Sequence, residues 1–172
     1  IAKKYKKVVG IDIAGGPRVT DKWGLHHYID AYQEAKKYNI GRTIHVSEGR
    51  GPQEIIDAIL LLDAQRLGHA CSVLDNQEAM ELVRYKRVVI EACPTSNVHT
   101  GIYKSIAEHP IKEWIKNKLS VVICADNTLM SNVTTYQEIK NVREQCKLNS
   151  QQISWCYNSA TLGRFNEKRI TG

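Results

Sequence analysis

Short apolar, β-branched runs punctuate the chain at regular intervals: Val8 to Ala14, Thr43 to Val46, Arg66 to His69, Val88 to Ala92 and Val121 to Ala125. Each has strand length, and the stretches between them carry apolar residues at spacings of three and four. In the first gap Leu25, Tyr28, Ile29, Tyr32 and Ala35 stack on one helical face. The second predicted helix opens with Pro52, favoured in a first turn, and continues with Ile55, Ile56, Ile59 and Leu60. Further helices are predicted from Gln77, after Pro110 (Ile111, Trp114, Ile115), after Thr135, whose spacing to Glu138 reads as a capping box, and from about Ser150.

A succession of β-then-α units demands a parallel sheet, because parallel neighbours cannot be joined by tight hairpins. The predicted class is therefore α/β. Periodicity alone leaves open an open doubly wound sheet or part of a (β/α)8 TIM-type barrel. No internal repeat, low-complexity tract or Pro/Gly/Ser linker divides the chain, so residues 1–172 read as one unit. Ile1 is not an initiator Met and the C-terminal Arg169-Ile-Thr-Gly172 closes no element, so a longer reading frame is expected.

Composition narrows the function classes. Hydrophobic residues make up 42% and charged residues 24%, an average globular mixture. No run approaches the roughly 18 consecutive apolar residues of a membrane span. Five widely spaced cysteines without a C-x-x-C pair point to a reduced, cytoplasmic protein. The net charge of +6 is densest at Lys3, Lys4, Lys6 and Lys7, and most other cations fall on helical polar faces. With one Phe and dispersed Tyr there is no basic, aromatic-studded face, so nucleic-acid binding is not expected.

The candidate chemistry lies at strand ends, where α/β sheets bind ligands. Gly15-Gly16 follows the first strand, His45 and Glu48 bracket the end of the second, His69 ends the third and Asp126-Asn127 follow the fifth. Each has a plain alternative: Gly15-Gly16-Pro17 as a turn, His45 as a hydrogen-bonded core histidine, Glu48 as a helix-start charge. Gly68 before His69 allows close approach of another group to the backbone. A carboxylate such as Asp126 at the end of a buried strand needs a cation, a donor cluster or water. Imidazole and carboxylate suit zinc, and a hydrolytic zinc keeps a position open for water. His45 and Asp126 make part of such a site, and two ligands imply others from outside this chain. His26, His27, His99 and His109 are read as structural or surface residues. No G-x-S-x-G elbow, phosphate-binding P-loop, G-x-G-x-x-G turn or H-x-E…P-C-x-x-C deaminase pattern is present.

Taken in order, the segments resemble the adenosine deaminase family. Val8-Val-Gly-Ile-Asp-Ile-Ala-Gly15 is similar to its V-V-G-x-D-L-A-G strand, His45-Val-Ser-Glu48 to H-A-G-E, and Arg66-Leu-Gly-His69 to R-[LIV]-G-H-G. Cys93-Pro-Thr-Ser-Asn97, Thr100-Gly101 and His109-Pro110 resemble C-P-x-S-N…T-G…H-P, and Cys124-Ala-Asp-Asn127 stands where the family has N-T-D-D or T-D-N. The resemblance implies barrel strands four to eight and hydrolytic deamination of adenosine to inosine with Zn2+. It implies His45 and Asp126 as metal ligands, and His69, assisted by Asp126, as the group that holds and deprotonates the attacking water. Glu48 would protonate purine N1, the Gly15 N–H would bond N3, and Asn127 would face N7.

There are departures. The family's His-x-His pair is absent, which places the first three strands and two ligands outside this chain. Val46-Ser47 replaces Ala-Gly, which is expected to add bulk in the site and resembles the branch acting on modified AMP. Ala70 and Gly16 also depart from the pattern, replacing a glycine and an acidic residue. The competing reading is a catalytically inactive relative that binds purine or a protein partner. The partner expected for the enzyme is a small purine nucleoside, with adenosine, deoxyadenosine, adenine and AMP-like substrates left open. Self-association through exposed strand edges is expected of the segment alone.

Overall fold

The computed structural model describes residues 4, 5, 7–15 and 24–165. Gly16, Lys3, Lys6 and the C-terminal Arg169–Gly172, on which sequence expectations rest, lie outside them. Five strands, β1 (Gly10–Ile13), β2 (Gly41–Val46), β3 (Arg66–His69), β4 (Val89–Ala92) and β5 (Ser120–Ile123), form one sheet in sequential order. Every neighbouring pair is parallel. A doubly wound sheet reverses its strand order at a switch point, and this one does not. With right-handed crossovers, sequential order sends every helix to the same face, which is the plan of a TIM-type barrel seen as an arc.

The helices are α1 (Ile29–Lys37), α2 (Gln53–Leu62), α3 (Gln77–Lys86), α4 (Pro94–His99), α5 (Ile111–Lys116), α6 (Thr128–Ser131), α7 (Thr135–Gln145) and α8 (Ser150–Leu162). Pro52 stands at the N-cap of α2, just ahead of its first turn. Asn76 and Asn149 cap α3 and α8 by accepting from Ala79 N and Gln152 N. The capping box of α7 differs from the sequence expectation by one residue. Thr134, with Gln137, closes it, and Glu138 turns inward instead.

Register separates the two faces of the sheet. Ile44, Val46, Leu67, Ile90, Ala92, Val121 and Ile123 point to the helices and form the core with Ile55, Leu62, Val83, Trp114 and Leu119. The opposite, concave face is polar. Asp12, Thr43 and Arg66 lie in one row, and His45, Gly68 and Glu91 in the next. Glu91 links the rows, accepting from Thr43 Oγ1 at 3.2 Å and pairing with Arg66 Nε at 2.9 Å. Near the strand starts Phe165 lies against Gly41, where a Cβ would stand 2.2 Å from its ring, and the Arg66 guanidinium stacks on it at 4.0 Å. Arg66 and Phe165 thus occupy the end of the concave face away from the strand carboxyl ends.

Candidate functional site

Left-handed backbone gathers at the carboxyl ends of three strands: Ser47 (φ 58°) after β2, His69 (64°) and Ala70 (49°) at the end of β3, and Asp126 (55°) after β5. Such conformations cost about 1 to 3 kcal/mol each and persist where the surroundings impose them. Here they stop the strands and turn their last polar residues towards one another. One ligand atom each from His45, His69 and Asp126 lies within 4.8 Å of the others, and the two imidazole centroids are 5.2 Å apart.

Each member is held from behind. His45 Nδ1 is 3.1 Å from Asp12 Oδ2, and this bond pushes its pKa up despite partial burial. Nε2 is the ring nitrogen left for a ligand, the arrangement in which a carboxylate orients a metal-bound imidazole. His69 is buried, which pushes its pKa down. Its Nδ1 lies 3.0 Å from Asn97 Nδ2, and its Nε2 lies 3.6 Å from Glu48 Oε2. Asp126 is exposed, three residues past the end of β5. Its Oδ2 accepts from Ser96 Oγ at 2.6 Å. Two imidazoles and a carboxylate at this separation are a donor set of the kind zinc takes.

A cleft of about 490 Å³ opens beside His45, between the β1 and β2 ends, bordered by Gly15, Leu25, Tyr28, His45, Glu48 and Glu54 among others. Gly15 has a φ of 153°, open to glycine, and nothing stands where its Cβ would be. His69, Asp126 and Asn127 do not line the cleft. Asn127 caps α6, its Oδ1 accepting from Met130 N at 3.1 Å, which leaves its NH2 as a donor. The structure thus brings His45, Glu48, His69 and Asp126 together, with Gly15 across the cleft and Asn127 beside Asp126.

Two readings gain detail. Val46 and Ser47 border the cleft, yet Val46 is packed in the core, and the Ser47 hydroxyl bonds Ser72 Oγ and accepts from Ser72 N at 3.1 Å. The Ser47 hydroxyl thus ties the β2 loop to the β3 loop at the border of the cleft. His109, read as structural or surface, is buried, with its ring edge-on to Tyr103 and Trp114. Asp12, Ser96 and Asn97 were missed as site residues. Asp12 offered a signal, since it is a carboxylate between two isoleucines on the same strand face as Thr43 and His45.

The model of the family described as adenosine deaminase matches residues 1–168. An adenosine deaminase of Clostridium botulinum is 33% identical over 165 residues, covering 95% of this chain and 48% of its own. The crystal structure of an adenine deaminase from Arthrobacter aurescens superposes with a TM-score of 0.84 at 18% identity, over 92% of this chain and 47% of that one. The apo N6-methyl-AMP deaminase from Arabidopsis thaliana gives 0.78 at 27% identity, over 93% and 46%. The chain spans about half the length of the curated relatives it matches. With nearly its whole length matched, in order, on a sequential arc of parallel strands, this chain belongs to the adenosine deaminase family.

Proposed function

We propose that the protein is a zinc-dependent aminohydrolase that converts adenosine to inosine, and that residues 1–172 form a single C-terminal portion of its barrel. The observation that supports this most is the convergence of His45, His69 and Asp126 within 4.8 Å, with Glu48 3.6 Å from His69. His45 and Asp126 would hold the ion, with further ligands from the part of the relatives that this chain does not span. Zinc, when bound, supplies the Lewis acidity that brings the pKa of water towards neutrality.

The chain's own residues supply the rest. His69, kept neutral by burial, takes a proton from the attacking water, and Asp126 accepts a hydrogen bond from it. Glu48 gives its proton to purine N1, which makes C6 electrophilic. Water's oxygen bonds to C6, the C6–N6 bond breaks, ammonia leaves with the proton that His69 took, and the remaining hydroxyl proton returns to Glu48 as the C6 carbonyl forms. Gly15 N–H and the Asn127 amide would orient the ring through N3 and N7. No described helix is long and apolar enough to cross a membrane. The five cysteines are free, which supports a reducing, cytoplasmic setting. The outer edges of β1 and β5 carry no described partner strand, which supports self-association of the isolated segment.

The test is the gene product extended upstream to its natural start, assayed for zinc content and for deamination of adenosine, deoxyadenosine, adenine and N6-methyl-AMP. Bound zinc with turnover of adenosine supports the reading. Turnover of N6-methyl-AMP alone would move the substrate to a modified nucleotide. A folded product with neither zinc nor turnover would establish the inactive relative instead.

A further inference from the structure

We infer that Glu138, on α7 and outside the cleft, is a positioning residue that sets the site through α4. This rests on the deaminase reading and extends it. Glu138 has no solvent exposure, although it stands on a helix whose neighbouring side chains Lys140, Arg143 and Glu144 are exposed. It occupies the core stripe of α7 with Val142, one turn on. Burying a carboxylate there is costly unless its oxygens are satisfied. Both are: Oε1 accepts from Thr95 N at 2.7 Å and Oε2 from Thr95 Oγ1. Thr95 lies in the first turn of α4, where the backbone N–H groups have no partner within the helix. Glu138 therefore caps α4 from a helix 43 positions away in sequence.

The next two residues of α4 reach the site. Ser96 Oγ donates to Asp126 at 2.6 Å, and Asn97, with no exposure, holds His69 Nδ1 at 3.0 Å. The Asn97 carbonyl pins the far end of α4 by accepting from Ile102 N (2.9 Å) and Tyr103 N (3.2 Å). Consecutive residues of one six-residue helix thus bind the carboxylate of α7, a metal-ligand candidate on the β5 end and the base candidate on the β3 end. A helix this short has little stability of its own, so its placement depends on what grips it. Glu138 grips its first turn, and a shift there moves the partners of Asp126 and His69 together.

The test uses the full-length product with Glu138→Ala, Glu138→Gln and Thr95→Val, and Val83→Ala, a fully buried residue of α3, as a control for lost stability alone. Glu138→Ala is expected to lower kcat by about tenfold or more and to speed zinc loss to a chelator, with KM changed less. Glu138→Gln can keep both bonds, accepting from Thr95 N and donating to Thr95 Oγ1, and should recover most of kcat and zinc retention. Thr95→Val, which keeps the backbone bond, should show a smaller loss of kcat and supplies the readout if Glu138→Ala does not fold. Val83→Ala should lose stability without the change in kcat. Amide exchange in residues 95–99 should speed up in Glu138→Ala and not in Val83→Ala. An active wild type with unchanged kcat and zinc retention in Glu138→Ala, or in Thr95→Val if that variant alone folds, overturns the positioning role by itself. A wild type that deaminates none of the purines overturns the deaminase reading and this role with it.

Discussion

The ring of His45 rests on Gly68: a Cβ at Gly68 would stand 3.0 Å from His45 Cγ and 3.2 Å from Nδ1. Gly68 is the register neighbour of His45 across the β2–β3 ladder, so its side chain would enter the row the imidazole occupies. Gly68 carries no left-handed φ, which separates this steric effect from backbone strain. Gly68→Ala is therefore expected to leave the fold intact and displace His45 by a few tenths of an ångström, lowering zinc affinity about tenfold or more. Zinc content after dialysis and the melting temperature check this. Retained zinc would show that the ring has room to move.

Asp12 holds the other side of the same ring, at 3.1 Å from Nδ1. Both side chains are partly exposed, so the pair contributes little to stability, and its expected effect is on the ligand. Asp12→Asn removes the charge that raises the basicity of His45 and is expected to weaken zinc binding by about 10- to 100-fold. Competition with a chromophoric chelator measures it. An unchanged zinc affinity would make Asp12 a bystander.

Residues proposed to act through their own chemistry were legible in the sequence, and those proposed to act through neighbours were not. His45, Glu48, His69 and Asp126 stand at strand ends between apolar runs, and the structure brings them together. The strands were legible because buried parallel strands read as near-continuous apolar runs, as Val121 to Ala125 does. Helix α4 was not, since Pro94-Thr-Ser-Asn-Val-His99 has one aliphatic residue beyond its proline and no helical stripe. For α7, adjacent Thr134 and Thr135 with adjacent Gln137 and Glu138 give two overlapping capping boxes. Local chemistry cannot choose between them. Thr95, distant in sequence, decides by claiming Glu138.

Under the proposed function Glu48 acts on substrate rather than on metal. It borders the cleft and lies 3.6 Å from His69, outside the cluster of His45, His69 and Asp126. Glu48→Gln keeps the shape and removes the transferable proton. The expected outcome is a fall in kcat of about 10²- to 10⁴-fold with zinc content unchanged. Parallel kcat and metal measurements check it, and a variant that keeps its turnover rules out Glu48 as the acid.

His109 gives this fold an acid-sensitive core. Burial pushes its pKa from 6.5 down to about 3, and its Nδ1 accepts from Ile111 N at 3.2 Å. The folded protein keeps this ring neutral, whereas the unfolded chain protonates it near its ordinary value. Its contribution to stability is therefore fully present above 6.5 and is lost as the pH falls from there towards 3. The loss is about 1.4 kcal/mol per pH unit. His45 has the opposite sign: its raised pKa contributes stability at low pH that is lost as the pH rises through the folded value. The difference between wild type and His109→Asn isolates the first effect, because Asn can still accept from Ile111 N and does not titrate. Urea unfolding at neutral pH and near pH 5 should show a steeper acid loss in the wild type than in the variant. Equal slopes would mean that His109 gains access to protons without unfolding.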